Sequence, residues 1–277
     1  MKIISLGLGV QSTALYYMSS LGELPRCDYA IFADLGREKK KTIAYLKYLQ
    51  QWQKENNGIP IIVIQKKNLY TDLLNSVNST GGRFASIPAF TKNDDGSIGM
   101  LRRQCTNEYK IEQVDKAIRE VLNVKAVLKQ KVDIWKGISL EEIDRLSIPN
   151  TDWKIHVYPF CKYTVTTKGA NKTNFGLLRT RNDIVRWYDF NGLPIPPKSS
   201  CVFCPYQSDA AWYDMRQNEP EDFEAAVKID EAIRNSSKKG IKNKIFLHRS
   251  CKPLSEISFT AGLPDLWQGE CLDNCHV

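Results

Sequence analysis

The stretch MKIISLGLGVQSTAL, from Met1 to Leu15, decides the fold. Its apolar start predicts a short buried strand, and its end predicts a helix that Ser12 caps. Between them, Gly7 and Gly9 predict a turn, because glycine allows positive φ and close backbone approach. A strand that stops at glycines and leads into a helix forms an anion site, because free N–H groups and the helix dipole point at the ligand.

This loop resembles the pyrophosphate loop (PP-loop) of the adenine nucleotide alpha-hydrolase superfamily, in which Ser-Gly-Gly-x-Asp-Ser binds the phosphates of ATP. The aligned residues run from Gly7 to Ser12, with Leu8 at the family's first glycine and Gln11 at its aspartate. The spacing matches neither the Walker A loop nor the dinucleotide fingerprint. The resemblance implies ATP with Mg²⁺ as the ligand, and nucleotide contacts from Ser5, Gly7, Gly9, Gln11 and Ser12. A βα turn without a ligand is the alternative.

The composition is that of an ordinary globular protein. The chain has 277 residues, of which 42% are hydrophobic, enough for one large core or one core with an appended lobe. The sequence contains no apolar run near the roughly 18 residues of a membrane span and no signal-peptide pattern, so we expect no membrane contact and a cytoplasmic location.

The net charge of +8 is unevenly distributed along the chain. Residues 1–138 hold 21 Lys and Arg against 13 Asp and Glu, whereas residues 139–277 hold 18 of each kind. A basic first half favours a polyanionic partner, which is either a nucleotide or a nucleic acid such as tRNA or DNA. The charge does not discriminate between these two.

Alternating strands and helices predict an α/β fold with a doubly wound, mainly parallel sheet, Rossmann-like and of the adenine nucleotide alpha-hydrolase type. The strand patterns cover 27–33 and 59–64, and the helix patterns cover 38–55 and 69–77. Asp34 and Gly36 follow the second strand, where parallel sheets bind ligands. The resembling families have an Asp-x-Gly turn there that borders the nucleotide, and a plain turn is the alternative.

A long segment over residues 78–104 has little hydrophobic period and several turn formers, which is typical of a lid or binding segment. Arg102 and Arg103 at its end are suited to clamping phosphate or sulfate, although a solvated pair is the alternative. A helix is predicted from Cys105 to Val121.

The segment CTNEYKI, which begins at Cys105, resembles the phosphoadenosine phosphosulfate (PAPS) reductase family, in which two cysteines precede a Lys-Val dipeptide. Thr106 stands in place of the second cysteine. A later turn at Gly137 resembles the family's Gly-x-Arg turn, with Ser139 in place of its arginine. The resemblance implies that Gly137 borders the nucleotide, and that developing charge is stabilised by Arg102, Arg103 and Lys110.

The division into domains follows from the change in pattern after residue 160. Residues 1–160 are predicted to form the nucleotide-binding domain, in which 156–160 is the last strand of the sheet. Residues 161–277 are predicted to form a helical C-terminal region with a surface insertion over 162–175. Its helices are predicted over 182–190, 208–217 and 219–235.

The cysteines indicate metal ligands or reactive thiols, since disulfides are not expected in a cytoplasmic chain. Cys201 and Cys204 form a C-x-x-C followed by proline. In sulfonucleotide reductases the cysteine matching Cys105 and a later C-x-x-C hold a four-iron, four-sulfur (4Fe–4S) cluster. The resemblance therefore implies a cluster on Cys105, Cys201 and Cys204, with Cys271 or Cys275 as a fourth ligand. Alternatives are zinc, completed by Cys271, Cys275 or His276, and structural thiols without metal.

Two reactions fit the resemblance. In one, ATP adenylates an acceptor oxygen and sulfur then displaces AMP. In the other, a cysteine thiolate, for which Cys271 is a candidate, attacks a sulfonucleotide (PAPS or APS) and sulfite is released. The retained phosphate loop and Thr106 favour the first. A non-catalytic nucleotide- and metal-binding module is the third hypothesis, and a sulfur-donor protein and a second copy of the chain are further partners to consider.

Overall fold

The computed structural model describes residues 1–85, 87–123, 130–237 and 241–260. Its strands are β1 (Lys2–Ser5), β2 (Tyr29–Ala33), β3 (Ile61–Ile64), β4 (Phe90–Lys92), β5 (Ile98–Met100), β6 (Val132–Trp135), β7 (Lys154–Tyr158), β8 (Tyr163–Thr166), β9 (Gly169–Lys172) and β10 (Ile245–Phe246). Its α-helices are α1 (Val10–Leu21), α2 (Lys40–Glu55), α3 (Leu69–Leu74), α4 (Glu112–Val121), α5 (Arg181–Phe190), α6 (Asp209–Asn218) and α7 (Pro220–Arg234). A π-helix (Thr106–Ile111) precedes α4, and short 3₁₀ helices span Leu140–Arg145 and Leu254–Glu256.

A seven-stranded sheet carries the fold, in the order β3-β2-β1-β6-β7-β8-β9. The first five strands of this order are parallel, and β8 and β9 are antiparallel. The chain runs outward from β1 through β2 to β3, and then crosses to the other side of β1 to form β6 and β7. The α/β class and the mostly parallel sheet are therefore confirmed. Ligands of such sheets bind where the strand order reverses, which is between β1 and β6.

The two faces of the sheet bury alternate residues of each strand. Ile4 belongs to a core that also contains residues of α1, α2 and α5. Its neighbour Ile3 belongs to a second core, in which α4 covers the opposite face. Both faces of the central strands are thus buried, which explains why these strands are continuous apolar runs in the sequence.

The segment 78–104 contains a hairpin that the sequence analysis missed. Strands β4 and β5 pair antiparallel, and β10 pairs with β4 to complete a three-stranded sheet. The turn formers at Asn93–Gly96 make the hairpin turn, in which the Asn93 N–H donates to the Ser97 carbonyl at 2.9 Å. This small sheet packs with α3, α6 and α7 around a third core. The lid or binding segment predicted over residues 78–104 therefore contains strands that its pattern did not indicate.

The large sheet continues beyond residue 160. The surface insertion predicted over 162–175 contains the hairpin of β8 and β9, which extends the sheet from β7. Helix α5 packs on the α1 face, whereas α6 and α7 belong to the third core. The helices predicted for this region are confirmed to within two residues at each end. In the described part of the chain, no helix combines the length and apolar character needed to cross a membrane.

Candidate functional site

A cavity of about 270 Å³ lies at the carboxyl ends of β1, β2 and β6, between the sheet and α4. We call it the large cavity to distinguish it from the smaller cavity described next; the more open surface groove described below has a greater volume, about 630 Å³. One side is apolar, and its residues are Ile31, Phe32, Ala33, Ile111, Val114 and Ile134. The other side is polar, and its residues are Lys136, Ser147, Asn150, Lys154 and His156. Ser5 and Gly7 also line the cavity, so the start of the predicted phosphate loop borders it.

A smaller cavity of about 40 Å³ contains the three predicted metal ligands. Cys105, Cys201 and Cys204 all line it, although nearly a hundred residues separate Cys105 from the C-x-x-C. We call it the thiol cavity. Arg103 lines it as well. The sequence-based expectation that these thiols meet is therefore consistent with their placement in the structure.

The two cavities share a wall that consists of Thr106 and Lys110, which line both. These residues are four apart in the π-helix, so both face the same side of it. Short π-helical turns occur frequently at functional sites. Lys110 carries the one positive charge of this wall, between a cavity that borders the phosphate loop and a cavity lined by thiols.

The phosphate loop differs from the prediction in its backbone. Helix α1 begins at Val10 with Gly9 as its N-cap, at φ −92° and ψ 174°. Neither Gly7 nor Gly9 has positive φ; Leu8 does, at 57°. The expected N-cap at Ser12 is wrong, and neither glycine uses the positive φ that it allows. The left-handed residue of the loop is therefore Leu8, which is not a glycine.

Ser12 closes the loop from within the first turn of α1. Its Oγ accepts a hydrogen bond from the Gly7 N–H at 3.1 Å and donates to the Gly9 carbonyl at 3.4 Å. The Ser12 side chain is therefore occupied by the loop itself. Neither Gly9 nor Ser12 lines the large cavity.

Gln11 connects three elements instead of facing the large cavity. Its amide nitrogen donates to Glu142 Oε2 at 3.0 Å and lies 3.4 Å from Ser139 Oγ, and its amide oxygen accepts from Arg181 at 3.2 Å. Glu142 also forms an ion pair with Arg145. The glutamine at the family's aspartate position thus joins α1 to the 3₁₀ helix and to α5.

The other predicted nucleotide contacts shape turns. The Asp34 Oδ1 atom accepts a hydrogen bond from the Gly36 N–H at 2.8 Å, and Gly36 has φ of 96°. A Cβ atom on Gly36 would overlap Asn68 at 2.2 Å, and one on Gly137 would lie 2.4 Å from the Ser12 nitrogen. None of Asp34, Gly36 and Gly137 lines the large cavity. Each of the two glycines allows a close approach that a side chain would prevent.

The predicted arginine clamp opens onto a wide surface groove. Arg102 and Arg103 line it together with Lys67 and Arg83, and Arg103 also reaches the thiol cavity. The groove is not uniformly basic, because Glu108 forms an ion pair with Arg83 at 2.5 Å. The groove and the thiol cavity are adjacent at Arg103.

A buried carboxyl group next to Cys201 was missed by the sequence analysis. Glu38 forms an isolated β-bridge with Cys201, and the Cys201 thiol lies 3.9 Å from Glu38 Oε1. The other oxygen, Oε2, has no hydrogen-bond partner. Burial raises the pKa of both groups, and the charge of Glu38 raises the pKa of Cys201 further. Glu38 lies in a run of charged residues, which gave no signal that it is buried.

The polar side of the large cavity was also missed. Lys154 and His156 alternate with apolar residues in β7 and point to the α4 face, and Lys136 follows β6. Burial and then the Lys136 charge lower the pKa of His156 to about 3. Burial and then the Lys154 charge hold the pKa of Lys136 well below its usual range. The available signal was His156, a polar residue at the start of the strand predicted over 156–160.

The thiol cavity supplies the donor type of a metal centre, since thiolates bind both zinc and iron–sulfur clusters. Within residues 1–85, 87–123, 130–237 and 241–260, however, no three His, Cys, Asp or Glu side chains are arranged to hold a metal ion. Cys271, Cys275 and His276, proposed as further ligands, lie outside the described residues. The donor chemistry fits such a centre, and the set of ligands stays a prediction.

The chain matches no family model, no curated protein and no solved structure. The geometry of the two cavities is therefore the basis for the function proposed below.

Proposed function

We propose that the protein is an ATP-binding PP-loop enzyme of the PAPS reductase-like family, which adenylates an acceptor for sulfur transfer. The observation that carries this proposal is the wall that the large cavity shares with the thiol cavity. An activated substrate at one side of Thr106 and Lys110 would lie next to sulfur at the other. Thr106, unlike the cysteine it replaces, adds no further thiol.

The large cavity suits a nucleotide in its two kinds of surface. The apolar side is suited to a purine base, and Ser5 and Gly7 border the cavity at the start of the loop that precedes α1. Mg²⁺ would accompany the phosphates. In the reaction, the acceptor oxygen attacks the α-phosphorus, the bond to the β-phosphate oxygen breaks, and pyrophosphate leaves. Sulfur then replaces the adenylated oxygen, and AMP leaves.

Lys110 is the proposed stabiliser of charge in this reaction. Its position in both cavity walls brings an ammonium group near the phosphates and near the thiols. A fixed cation of this kind stabilises negative charge that develops on the leaving groups. Arg103 has the corresponding place between the surface groove and the thiol cavity.

Cys105, Cys201 and Cys204 would hold a 4Fe–4S cluster, or zinc as the alternative, with Cys275 or Cys271 as the proposed fourth ligand. A bound cluster would supply sulfide or electrons. The three thiols line a cavity that adjoins the large cavity, in which the nucleotide would bind.

The acceptor would reach the thiols through the surface groove. The groove holds Arg102 and Arg103 and belongs to the basic half of the chain. A phosphate-bearing acceptor such as tRNA or DNA fits this charge, and guanidinium groups bind phosphate bidentately. Nucleic acid as acceptor is therefore part of the proposal.

The test is pyrophosphate–ATP exchange by anaerobically purified protein with total tRNA added as the acceptor, and with iron and acid-labile sulfide measured in the same sample. We expect ATP-dependent exchange in the wild type, and a loss of about 10²–10³-fold in Lys110→Met. Lys116→Met is the matched control, because Lys116 is exposed on the adjoining helix α4. The melting temperature of each variant shows that it is folded.

Two outcomes would overturn the proposal. Sulfite release from PAPS or APS without pyrophosphate exchange would assign sulfonucleotide reduction instead. Nucleotide binding with neither activity would assign a non-catalytic module. An equal loss of exchange in Lys110→Met and Lys116→Met would remove Lys110 from the site.

A further inference from the structure

Lys136 is a buried lysine at the carboxyl end of β6, and it lines the large cavity. Only 4% of its surface is exposed. The register of the parallel pair sets Ile4 opposite Trp135. Lys136, the residue after β6, therefore lies level with Ser5, the last residue of β1. It therefore lies at the reversal of strand order, beside the start of the phosphate loop.

The contacts of Lys136 are with neutral groups. Its ammonium nitrogen lies 3.3 Å from Ser147 Oγ and 3.3 Å from His156 Nδ1, and it lies 6.0 Å from the centre of the Tyr158 ring. His156 Nδ1 is also 2.8 Å from the Ser147 carbonyl, so the imidazole donates its proton there. Among the described residues, no carboxylate forms an ion pair with Lys136.

The nearest acidic side chain is already paired with another lysine. Asp115 accepts from Lys154 at 2.5 Å, and Lys154 also donates to Asn150 at 2.9 Å. Lys136, Lys154 and Asp115 thus all line the cavity, and the Asp115 carboxylate forms its ion pair with Lys154.

A buried ammonium without a counter-ion is unfavourable, because its hydration is lost and no anion compensates. The amine either releases its proton or receives an anion. Burial and the charge of Lys154 lower the pKa of Lys136, so both favour release of its proton. An anion that enters the cavity would favour the protonated form. His156, Tyr158, Lys154 and Asp115 are the other titratable groups that face this point.

We propose that Lys136 is the receptor for a tetrahedral oxyanion, a phosphate or sulfate group of the ligand in the large cavity. The Ser147 hydroxyl, 3.3 Å from the ammonium, lines the same wall and is the second donor. This inference deepens the proposed function, on which it rests for the identity of the nucleotide. It assigns an anion contact outside the phosphate loop, and it couples ligand binding to the uptake of a proton by Lys136.

The test is isothermal titration calorimetry of the full chain with adenosine, AMP, inorganic phosphate and inorganic sulfate. Each titration is repeated in buffers of different ionisation enthalpy, which measures proton uptake. The variant is Lys136→Met, which keeps the length of the side chain and removes its charge. The control is Lys131→Met, at an exposed position just before β6.

In the wild type we expect AMP to bind with proton uptake and adenosine to bind without it. In Lys136→Met, the affinity for AMP falls about tenfold to a hundredfold, the affinity for adenosine stays unchanged, and the proton uptake disappears. A melting temperature of Lys136→Met at or above that of the wild type shows that the variant is folded. A preference for phosphate over sulfate points to a nucleotide phosphate, and the reverse preference points to a sulfonucleotide.

The two proposals fail in different ways. If adenosine and AMP do not bind but phosphate or sulfate binds with proton uptake that Lys136→Met abolishes, the oxyanion site stands and the nucleotide proposal fails. If AMP and adenosine bind, and Lys136→Met leaves both affinities and the proton balance unchanged, the nucleotide stands and the oxyanion site is overturned. An equal loss for adenosine and AMP also overturns it.

Discussion

Gly137 lies directly against the backbone of Ser12: a Cβ atom built on Gly137 would stand 2.4 Å from the Ser12 nitrogen and 2.7 Å from the Gln11 carbonyl carbon. The turn after β6 therefore packs on the first turn of α1 without any intervening side chain. This contact holds two neighbouring loops of the parallel sheet together at the edge where the large cavity lies. Glycine is required here for space, not for its φ.

Gly137→Ala should separate these two loops, because the clash is with backbone atoms that cannot turn aside. We expect a loss of about 1–3 kcal/mol in the free energy of unfolding, measured by urea denaturation. Gly82→Ala is the control, since its Cβ atom would lie 3.9 Å from the nearest atom, Thr80 Oγ1. Equal stability of the two variants would mean that the loops are free to move apart.

Leu8 should show an unusual order of substitutions. Its side chain is fully buried, while its φ of 57° is one that glycine adopts without strain. Leu8→Ala loses the buried side chain at a cost of about 2–5 kcal/mol and keeps the strained φ. Leu8→Gly loses the same contacts but relieves about 1 kcal/mol of strain.

The glycine variant at position 8 should therefore be more stable than the alanine variant, which reverses the usual preference. Thermal and urea unfolding of both variants measure the difference. Leu21→Ala, at the half-exposed end of α1, is the control for a leucine outside the core. A glycine variant less stable than the alanine variant would contradict the left-handed conformation.

The pair of Asp115 and Lys154 should be costly to break from one side. The Lys154 side chain is 2% exposed, and the Asp115 carboxylate, 2.5 Å away, is the counter-ion of its ammonium group. Asp115→Ala leaves that ammonium buried with Asn150 alone, and we expect a loss of about 3–5 kcal/mol in unfolding free energy. The double variant Asp115→Leu with Lys154→Met should recover much of the loss.

The exposed pair of Lys228 and Glu224 on α7 is the control for this prediction. Glu224→Ala should change the unfolding free energy by less than about 1 kcal/mol, because water screens the pair. If Asp115→Ala lowered the unfolding free energy as little as Glu224→Ala does, the prediction would be contradicted. Water would then have to reach the Lys154 ammonium group through the cavity wall.

His156 should make the protein less stable in acid. Burial and the Lys136 charge lower its pKa to about 3, whereas the unfolded chain has a histidine pKa of about 6.5. Below about pH 6.5 the unfolded state therefore binds a proton that the folded state does not, and stability falls by up to about 1.4 kcal/mol per pH unit. The loss continues until the pH approaches about 3.

Urea unfolding of the wild type and of His156→Gln, between about pH 7 and about pH 4.5, isolates this contribution. The carboxylates and Lys136 titrate in both proteins, so the difference curve reports on the imidazole. His156→Gln should have the shallower pH dependence. Parallel curves would show that His156 has the same pKa in the folded and unfolded states, which would contradict the lowered pKa.

Local pattern predicted the parallel part of the large sheet because its strands are apolar runs that alternate with amphipathic helices, but it missed the hairpin of β8 and β9. It did not predict the second sheet, since β4, β5 and β10 have at most three residues each and β10 is distant in sequence. Such short strands have too few residues to show a period of two. Their pairing depends on contacts that the sequence pattern does not contain.

The candidate site was predicted only in part, because the sequence pattern does not contain the tertiary contacts that bury some of its residues. The meeting of Cys105 with Cys201 and Cys204 followed from a family resemblance that places three elements together. Glu38 and Lys136 are buried by tertiary packing alone, and a charged residue next to a strand looks solvated in a sequence. Gln11 is the opposite case. The resemblance predicted that it contacts the nucleotide, whereas in the structure its side chain forms hydrogen bonds with Glu142 and Arg181.

Strand β10 bears on how the chain tolerates truncation. It pairs with β4, so Ile245 and Phe246 lie beside the segment that leads to Arg103 and Cys105. A fragment that stops after the large sheet would leave that segment without its neighbouring strand and without the core formed by α6 and α7. The two halves of this chain are therefore not interchangeable modules: splitting or swapping them at residue 160 would dismantle the thiol cavity while sparing most of the parallel strands.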